Sequence, residues 1–586
     1  MRHTNRHFLR WRLRSWPTCF MARRLGSALI TGRLGLQIYD YIIVGAGSAG
    51  CVLADRLTAD GLNTVLVMEA GGSDRSIFIQ MPSALAIPMN QRRYNWFYES
   101  EPEPHLGGRR LHTPRGKVLG GSSSINGLVY IRGNPLDFER WRDEGADGWG
   151  YADVLPYFRK AETRDEGSDS YRGGDGPLHT RYGSLENPLH QAWLGAAAQA
   201  GYALTEDVNG ARQEGFGRMD MTVRRGVRCS AANAYLRPAM RRPNLTVITG
   251  ALVQRVNFKG TRAVGVDYQS GGALRTVGAR REVILAGGPI NSPQLLKLSG
   301  LGPAKELMRH GIAVVADRPG VGENLQDHLE FYFQMACTQP ITLYSSMNPL
   351  AKAWIGARWL LRQDGLGATN HFESCGFIRS RAGIAYPDIQ YHFLPMAVSY
   401  DGSSLAREHG FQAHVGPMRS KSRGHVRLAS AEAYDKPKIT FNYMSHPDDW
   451  TEMRACVRLT REIFGQTAFD AYRGREIQPG ADVVTDEAID AFIAAKVESA
   501  YHPSCTCKIG RPDDPMAVVD AQLSVIGVEG LRVVDSSVMP SVTTGNLNAP
   551  TIMIGEKGAD HILGRPMLAP SNAPFYRAQE WETRQR

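Results

Sequence analysis

The chain has 586 residues, too many for a single compact core, and its 42% apolar and 22% charged content is that of an ordinary globular enzyme, not a disordered or fibrous protein. No apolar run approaches the roughly eighteen residues needed to cross a bilayer, so any membrane association is peripheral. The formal charge of +10 comes mainly from residues 1–38, which hold eight arginines (Arg2, Arg6, Arg10, Arg12, Arg14, Arg23, Arg24, Arg33), no lysine and no acid; without them the body carries +2, which argues against a nucleic-acid partner.

The Arg-rich, acid-free front resembles a mitochondrial transit peptide. It also carries Trp11, Trp16, Pro17 and Cys19 with no amphipathic period, so a stretch lying upstream of a true start at Met21 or later reads equally well. Either way it is expected to lie outside the fold.

The chain is organised by Tyr39 to Glu69. Tyr41 to Val44 is an apolar run that predicts a buried parallel strand. A turn follows at Gly45-Ala46-Gly47-Ser48-Ala49-Gly50, then a helical pattern from Cys51 to Leu57 and a second strand, Thr64 to Met68, ending on Glu69. Each residue type has a physical task in holding a dinucleotide. Gly45 allows the tight turn, Gly47 leaves room for pyrophosphate, and Gly50 lets helix and strand approach. Free N–H groups at the helix start, near Ser48 and Ala49, face phosphate. Glu69, nineteen residues after Gly50, accepts from ribose hydroxyls and disfavours a 2′-phosphate.

The aromatics Tyr94 to Tyr98 read as packing groups. Gly120-Gly121-Ser122-Ser123-Ser124 makes a poor core element and suits backbone lying flush against a flat ligand, with Asn126 offering an amide. Helical pieces are expected at Asp137–Glu144 and Ala192–Ala200. A strand pair is expected around Val247, Ile248, Leu252, Val253 and Val256. Arg281–Leu285 predicts a buried strand running through Ala286-Gly287-Gly288 into a helix that starts at Pro289. From residue 331 alternating segments (Phe331–Gln334, Ile389–Phe393, Gly424–Leu428) predict an antiparallel sheet, with a helix at Trp450–Ile463. Asn548 before Pro550 predicts a helix start, with a helix over 550–563.

Eight scattered cysteines show no CxxC and no His/Cys ligand spacing, so no metal site is expected and the thiols should be free.

Together these motifs resemble the glucose–methanol–choline (GMC) oxidoreductases. Residues 116–139 and Gly288–Gly302 carry the two family signatures, and the Gly45–Gly50 turn, Tyr501-His502-Pro503 and Gly545-Asn546-Leu547-Asn548 complete the set in order. The resemblance covers roughly residues 39–563. It implies an α/β (α+β overall) protein: a Rossmann-like FAD-binding domain and a second, substrate-binding domain built on an antiparallel sheet with helices. The expected division is a leader at 1–38, an N-terminal, mainly FAD-binding region at 39–334, a C-terminal region at 335–563 and a tail at 564–586, the two structural domains interleaving in sequence.

Within the family, RYNW, YIRGN, PGVGENLQDHLE, YHPSCTCK and GNLNAPTIMIGEK look most like the choline-oxidising members. The resemblance then implies oxidation of choline to betaine aldehyde, hydride passing to flavin and the hydroxyl proton to His502, with Asn548 paired to it. Glu330 would face the substrate cation, with His392 and Tyr501 beside it. Ala70, Gly120, Gly121, Ser122, Val253 and Asp535 would join the FAD contacts. Ile125 stands where covalently flavinylated relatives have a histidine, which implies noncovalent FAD. The implied partners are choline and a quinone or other non-oxygen acceptor. The implied location is the cytoplasmic face of an inner membrane if the source is bacterial, or the mitochondrial inner membrane if the leader is a transit peptide. A dehydrogenase of another primary alcohol, aliphatic, aryl or polyethylene glycol, and a flavin-dependent lyase are the competing readings.

Overall fold

The computed structural model describes residues 36–398 and 408–586; the leader expected over 1–38 lies outside the described residues up to 35, and its last residue, Ile38, already belongs to the first strand. Residues Gln37–Arg586 form one compact unit.

The chain runs β1 (Ile38–Val44), α1 (Ser48–Thr58) and β2 (Val65–Glu69), then β3 (Gly215–Arg218), β4 (Leu245–Thr249), β5 (Ala251–Lys259), β6 (Arg262–Ser270), β7 (Ala273–Leu285) and α2 (Gly288–Leu298). It continues through β8 (Leu329–Cys337), α3 (Pro349–Arg362), β9 (Ser374–Ile378), β10 (Ile389–Leu394), β11 (Gly410–Pro417), α4 (Pro447–Phe464), β12 (Arg473–Gln478), β13 (Leu531–Val533) and α5 (Asn548–Leu563), with further helices and short strands between.

The first seven-stranded sheet has the order β4–β2–β1–β7–β6–β5, with β13 also on β7. β4, β2, β1, the second half of β7 and β13 are parallel, and Ile42 and Ile43 sit fully buried between Leu66–Val67 and Val283–Ile284. That is why this part of the sequence is continuously apolar. β7 is long enough to serve two neighbours: Ala273–Gly278 pairs antiparallel with β6, and Gly278–Leu285 runs parallel to β1. α5 lies against α1, where a Cβ on Gly555 would meet Ala49 Cα at 3.2 Å. Arg56 of α1 donates to the buried Glu556 of α5 at 2.6 Å, and Tyr235 Oη donates to the same carboxylate at 2.9 Å.

The second seven-stranded sheet has the order β12–β8–β11–β10–β9–β3, with Glu498–Ser499 also on β8, every pairing antiparallel. α4 covers β11 and contains the helix expected over Trp450–Ile463. The chain thus enters the first sheet, gives β3 to the second, returns for β4 to β7, leaves again for the second and comes back at Leu531.

Two expectations change. Leu245–Thr249 and Ala251–Lys259 are both strands, but they do not pair with each other: β4 pairs with β2 and β5 with β6. His425–Arg427 is a strand, but it pairs only with Lys438–Thr440 as a separate ribbon outside the large sheet. Alternation reports a half-buried strand and does not say which neighbour it will find.

Candidate active site

One cavity runs between the carboxyl ends of the parallel strands and the face of the antiparallel sheet. Its cofactor half begins where β1 ends. Gly45 has φ +105°, and a Cβ on it would lie 2.4 Å from Ala286 O; a Cβ on Gly50 would lie 2.0 Å from Gly45 O. Protein packing alone demands these two glycines. Gly47 is different: a Cβ there would meet nothing nearer than Ala286 O at 3.8 Å, an ordinary contact, yet Gly47 lines the cavity. The space kept clear at Gly47 fits a ligand that approaches the backbone.

Glu69 is buried at the end of β2. Its Oε2 accepts from Ala46 N at 3.0 Å and its Oε1 from Gly71 N at 2.7 Å, so the carboxylate ties the turn to the strand. Burial raises its pKa to about 7 against the pull of those amides.

Three helix starts converge on the cavity. Ser48 Oγ at the head of α1 donates to Asn548 Oδ1 at the head of α5, 2.9 Å away. At the head of α2, Gly288 N donates to Asp535 Oδ2 at 2.8 Å, and Ser292 Oγ donates to the same oxygen at 2.6 Å. First-turn N–H groups without intrahelical acceptors make this end of the cavity electropositive, suited to phosphate and to developing negative charge. Ala49, Ala70, Gly121, Ser122, Asn126 and Val253 complete this half. Gly50 and Gly120 do not line it; they shape the backbone behind it. Gly120 N donates to Ala46 O at 2.7 Å, and a Cβ on Gly121 would come within 2.7 Å of Gly47 Cα. The glycine-serine segment therefore lies flush against the first turn. Backbone amides, small hydroxyls, a carboxylate and a clear path at Gly47 fit a dinucleotide such as FAD.

In the other half Glu330, His392, Tyr501 and His502 all line the same cavity, with Trp96 and Phe372. Glu330 comes from β8 and His392 from β10. Glu330 is buried, and its Oε1 faces His414 Nδ1 at 3.2 Å. Tyr501 has φ +66°, an unusual backbone for an aromatic residue. It is held by its own N–H to Ser499 Oγ at 2.9 Å, and Ser499 Oγ in turn donates to Asp327 Oδ2. Asp327 Oδ1 accepts from His502 N at 2.7 Å and from His328 N at 2.9 Å. This buried acid thereby sets the backbone of both histidines.

The hydrogen bonds assign the tautomer of His502. His328 Nε2 lies 3.0 Å from Met418 O, which can only accept, so that nitrogen carries the proton and His328 Nδ1 is bare. His502 Nδ1, 3.1 Å from it, must then donate. That leaves His502 Nε2 as a lone pair open to the cavity, where Asn546 Nδ2 approaches to 3.0 Å. Asn546 Oδ1 in turn faces His392 Nε2 at 3.2 Å. Burial, with His328, His392 and Arg115 nearby, holds the His502 pKa well below the ordinary value, so the ring is neutral at neutral pH and its Nε2 lone pair is free of a proton.

Sequence reading paired His502 with Asn548. The structure places Asn548 in the cavity but turns its amide oxygen to Ser48; Asn546 is the amide on His502. Nor is Asn548 a side-chain cap: it is the first residue of α5, and Leu547 precedes it without a side-chain bond. Asp327, His328, Asn546, Trp96 and Phe372 were not singled out. Asp327, His328 and Asn546 lay inside the motifs already recognised, and Trp96 was read as packing. Phe372 carried no signal. Seven cysteines among the described residues are free, and no group of His, Cys, Asp or Glu among them is set to hold a metal.

Residues 39–330 and 420–555 match the N- and C-terminal parts of the GMC oxidoreductase family. The chain is 59% identical over 547 residues to an oxygen-dependent choline dehydrogenase of Brucella ovis, covering 93% of this chain and all of that one. It is equally similar, over 550 residues, to a protein of the same name from Photobacterium profundum, covering 94% and 97%. Among solved structures, pyridoxine 4-oxidase from Mesorbium loti superposes with a TM-score of 0.82 at 30% identity over 90% of this chain and 99% of that one. A formate oxidase variant of Aspergillus oryzae, studied for its FAD modification, gives a TM-score of 0.85 at 25% identity over 90% and 98%. The chain belongs to the GMC oxidoreductase family and is an FAD-dependent oxidoreductase.

Proposed function

We propose that this enzyme oxidises choline to betaine aldehyde, with His502 Nε2 as acceptor of the hydroxyl proton. The observation that carries the reading is a buried carboxylate, Glu330, sharing one cavity with His502 and the aromatic side chains of Trp96, Phe372 and Tyr501. A trimethylammonium group has no hydrogen to donate. It is bound by a carboxylate and by ring faces, each stronger once water is excluded. A neutral alcohol gains nothing from Glu330. The 59% identity to proteins named choline dehydrogenases supports the same substrate.

FAD would be held by Gly45 to Ala49, Glu69, Ala70, Gly121, Ser122, Asn126, Val253 and Asp535, with Gly50 and Gly120 shaping the cradle; when bound it accepts the hydride from the alcohol carbon. Ile125 offers no nucleophile, which suits noncovalent binding. The protein's part is placement and proton handling. His328, backed by the Met418 carbonyl, keeps His502 Nε2 bare. The substrate hydroxyl shares or takes the position at which Asn546 now donates. Asn546 and His392 then lie beside the substrate oxygen, and Asn548 stays at the head of α5, where the helix end favours negative charge.

We assign the electrons to a membrane quinone, with the enzyme lying peripherally on the cytoplasmic face of a bacterial inner membrane. No helix among the described residues is long and apolar enough to cross a membrane. The test is steady-state turnover with choline and with its neutral carbon isostere, 3,3-dimethylbutan-1-ol, using a soluble quinone or dioxygen as acceptor. The reading expects choline to be strongly preferred and quinone to outpace dioxygen. Equal use of the isostere would remove the choline assignment, and faster turnover with dioxygen would remove the quinone.

A further inference from the structure

α3 fully buries one residue and leaves most of the others exposed. Trp359 is buried, and its Nε1 donates to Gly226 O at 2.7 Å. On the opposite side Leu350, Trp354 and Leu361 are 84%, 70% and 85% exposed. With Ala357 they fall at i, i+4, i+7 and i+11, a single stripe along the helix, and Leu360 is exposed at its edge. One exposed leucine is ordinary; an aligned stripe with a tryptophan is not. The helix carries Lys352, Arg358 and Arg362 and no acid, and the first acid after it, Asp364, is taken by Arg358 at 2.6 Å.

A second element with exposed apolar groups lies beside the side of α3 that carries Trp359. The turn Gly365–Ala368, with Leu366 exposed, packs on Pro82–Ala84. Around that segment Ile77, Phe78 and Ile87 are exposed, and residues 75–93 hold Arg75, Arg92 and Arg93 with no acid. Leu85 and Met89 of the same segment line the active-site cavity.

We propose that this face, α3 with the segment 77–87, is the surface that lies on an anionic lipid bilayer. Leu350, Trp354 and Leu361 enter the interface while the flanking cations meet lipid phosphates. The proposal rests on the membrane reading above and gives it a place: the margin of the cavity at Leu85 and Met89 adjoins the bilayer, where a lipid-soluble electron acceptor approaches. Cations outnumber acids here, with Asp364 and Glu186 beside Arg358, and such a surplus favours an anionic surface. A second copy of the chain would set like charges against each other.

The test is co-sedimentation of the FAD-replete full chain with phosphatidylcholine vesicles, with and without phosphatidylglycerol, at low and high salt. Wild-type protein is expected to bind the anionic vesicles and to be released by salt. Leu350→Gln/Trp354→Gln/Leu361→Gln is expected to bind roughly tenfold or more weakly, with FAD content and choline-dependent flavin reduction in solution unchanged. Lys352→Glu/Arg362→Glu, which leaves the apolar stripe intact, is expected to weaken binding and flatten its salt dependence. If the triple variant binds as tightly as wild type, this surface is wrong while the membrane reading survives. If wild type ignores both vesicles, the membrane reading falls and the surface with it. A wild-type dimer that the triple variant dissociates would make the face a contact between copies and overturn the proposal.

Discussion

The two halves of the cavity are built in different ways. The centre of the cofactor half is two runs of consecutive residues, and most of its polar contacts involve a backbone amide. Gly45 to Gly50 and Gly120 to Ser124 meet as two turns, tied by Gly120 N to Ala46 O and by Glu69 to Ala46 N. The substrate half is made by side chains brought from β8, β10, the loop before α5 and the segment 499–502, and most of its contacts link residues far apart in sequence. A backbone site tolerates little change at a few glycines. A side-chain site can change its substrate by single substitutions while the fold stands.

The sharpest way to break this contrast is within the glycine turn. Gly50→Val is expected to abolish soluble holoenzyme, because even a Cβ meets the Gly45 carbonyl at 2.0 Å. Gly47→Ala is expected to leave thermal unfolding of the FAD-free chain within about 0.5 kcal/mol of wild type while lowering the flavin-to-protein absorbance ratio. Equal damage from both would mean that the cleared space at Gly47 serves packing and not a ligand.

In the substrate half, His502→Ala is expected to keep full FAD and lose about a hundredfold to ten-thousandfold in kcat with choline, measured in steady state. Glu330→Gln is expected to raise the KM for choline by about tenfold or more, with little change for the neutral isostere. A variant that lost both substrates equally would show that Glu330 only holds His414.

The smallest effect sharpens the tautomer assignment. His502 is the proton acceptor only when Nε2 is bare, so activity is full above its pKa and falls as pH drops through it. Burial and the neighbouring His328, His392 and Arg115 put that pKa well below the ordinary 6.5. The acid limb of kcat/KM should therefore lie below pH 6.5. His328→Leu removes one of those neighbours and the acceptor for Nδ1–H. It is expected to move the limb upward and to lower kcat about tenfold. An unmoved limb would leave His328 a packing residue.

The same contrast explains what could be read from sequence. The strand–turn–helix at Tyr39 to Glu69 was legible because a local motif is also a local structure: Gly45, Gly47 and Gly50 act within six residues. Glu330 and His392 were placed in the cavity by resemblance alone, since each sits on a strand whose neighbours come from elsewhere. The exchange of Asn548 for Asn546 beside His502 turns on a two-residue offset at a helix start. Both amides lie in one motif, and only three-dimensional placement separates the one that meets Ser48 from the one that meets the base. Phe372 follows His371 at φ +65° in a loop with no period, so nothing in its surroundings marked it.

The most direct measurement is anaerobic mixing of the holoenzyme with choline, following flavin absorbance in wild type, His502→Ala and Glu330→Gln. The account predicts rapid bleaching in wild type and slow bleaching at any choline concentration in His502→Ala. In Glu330→Gln the limiting rate should approach that of wild type, but only at much higher choline. Wild-type flavin that stays oxidised with choline yet bleaches with a neutral primary alcohol would contradict the substrate, and His502→Ala bleaching at the wild-type rate would contradict the base.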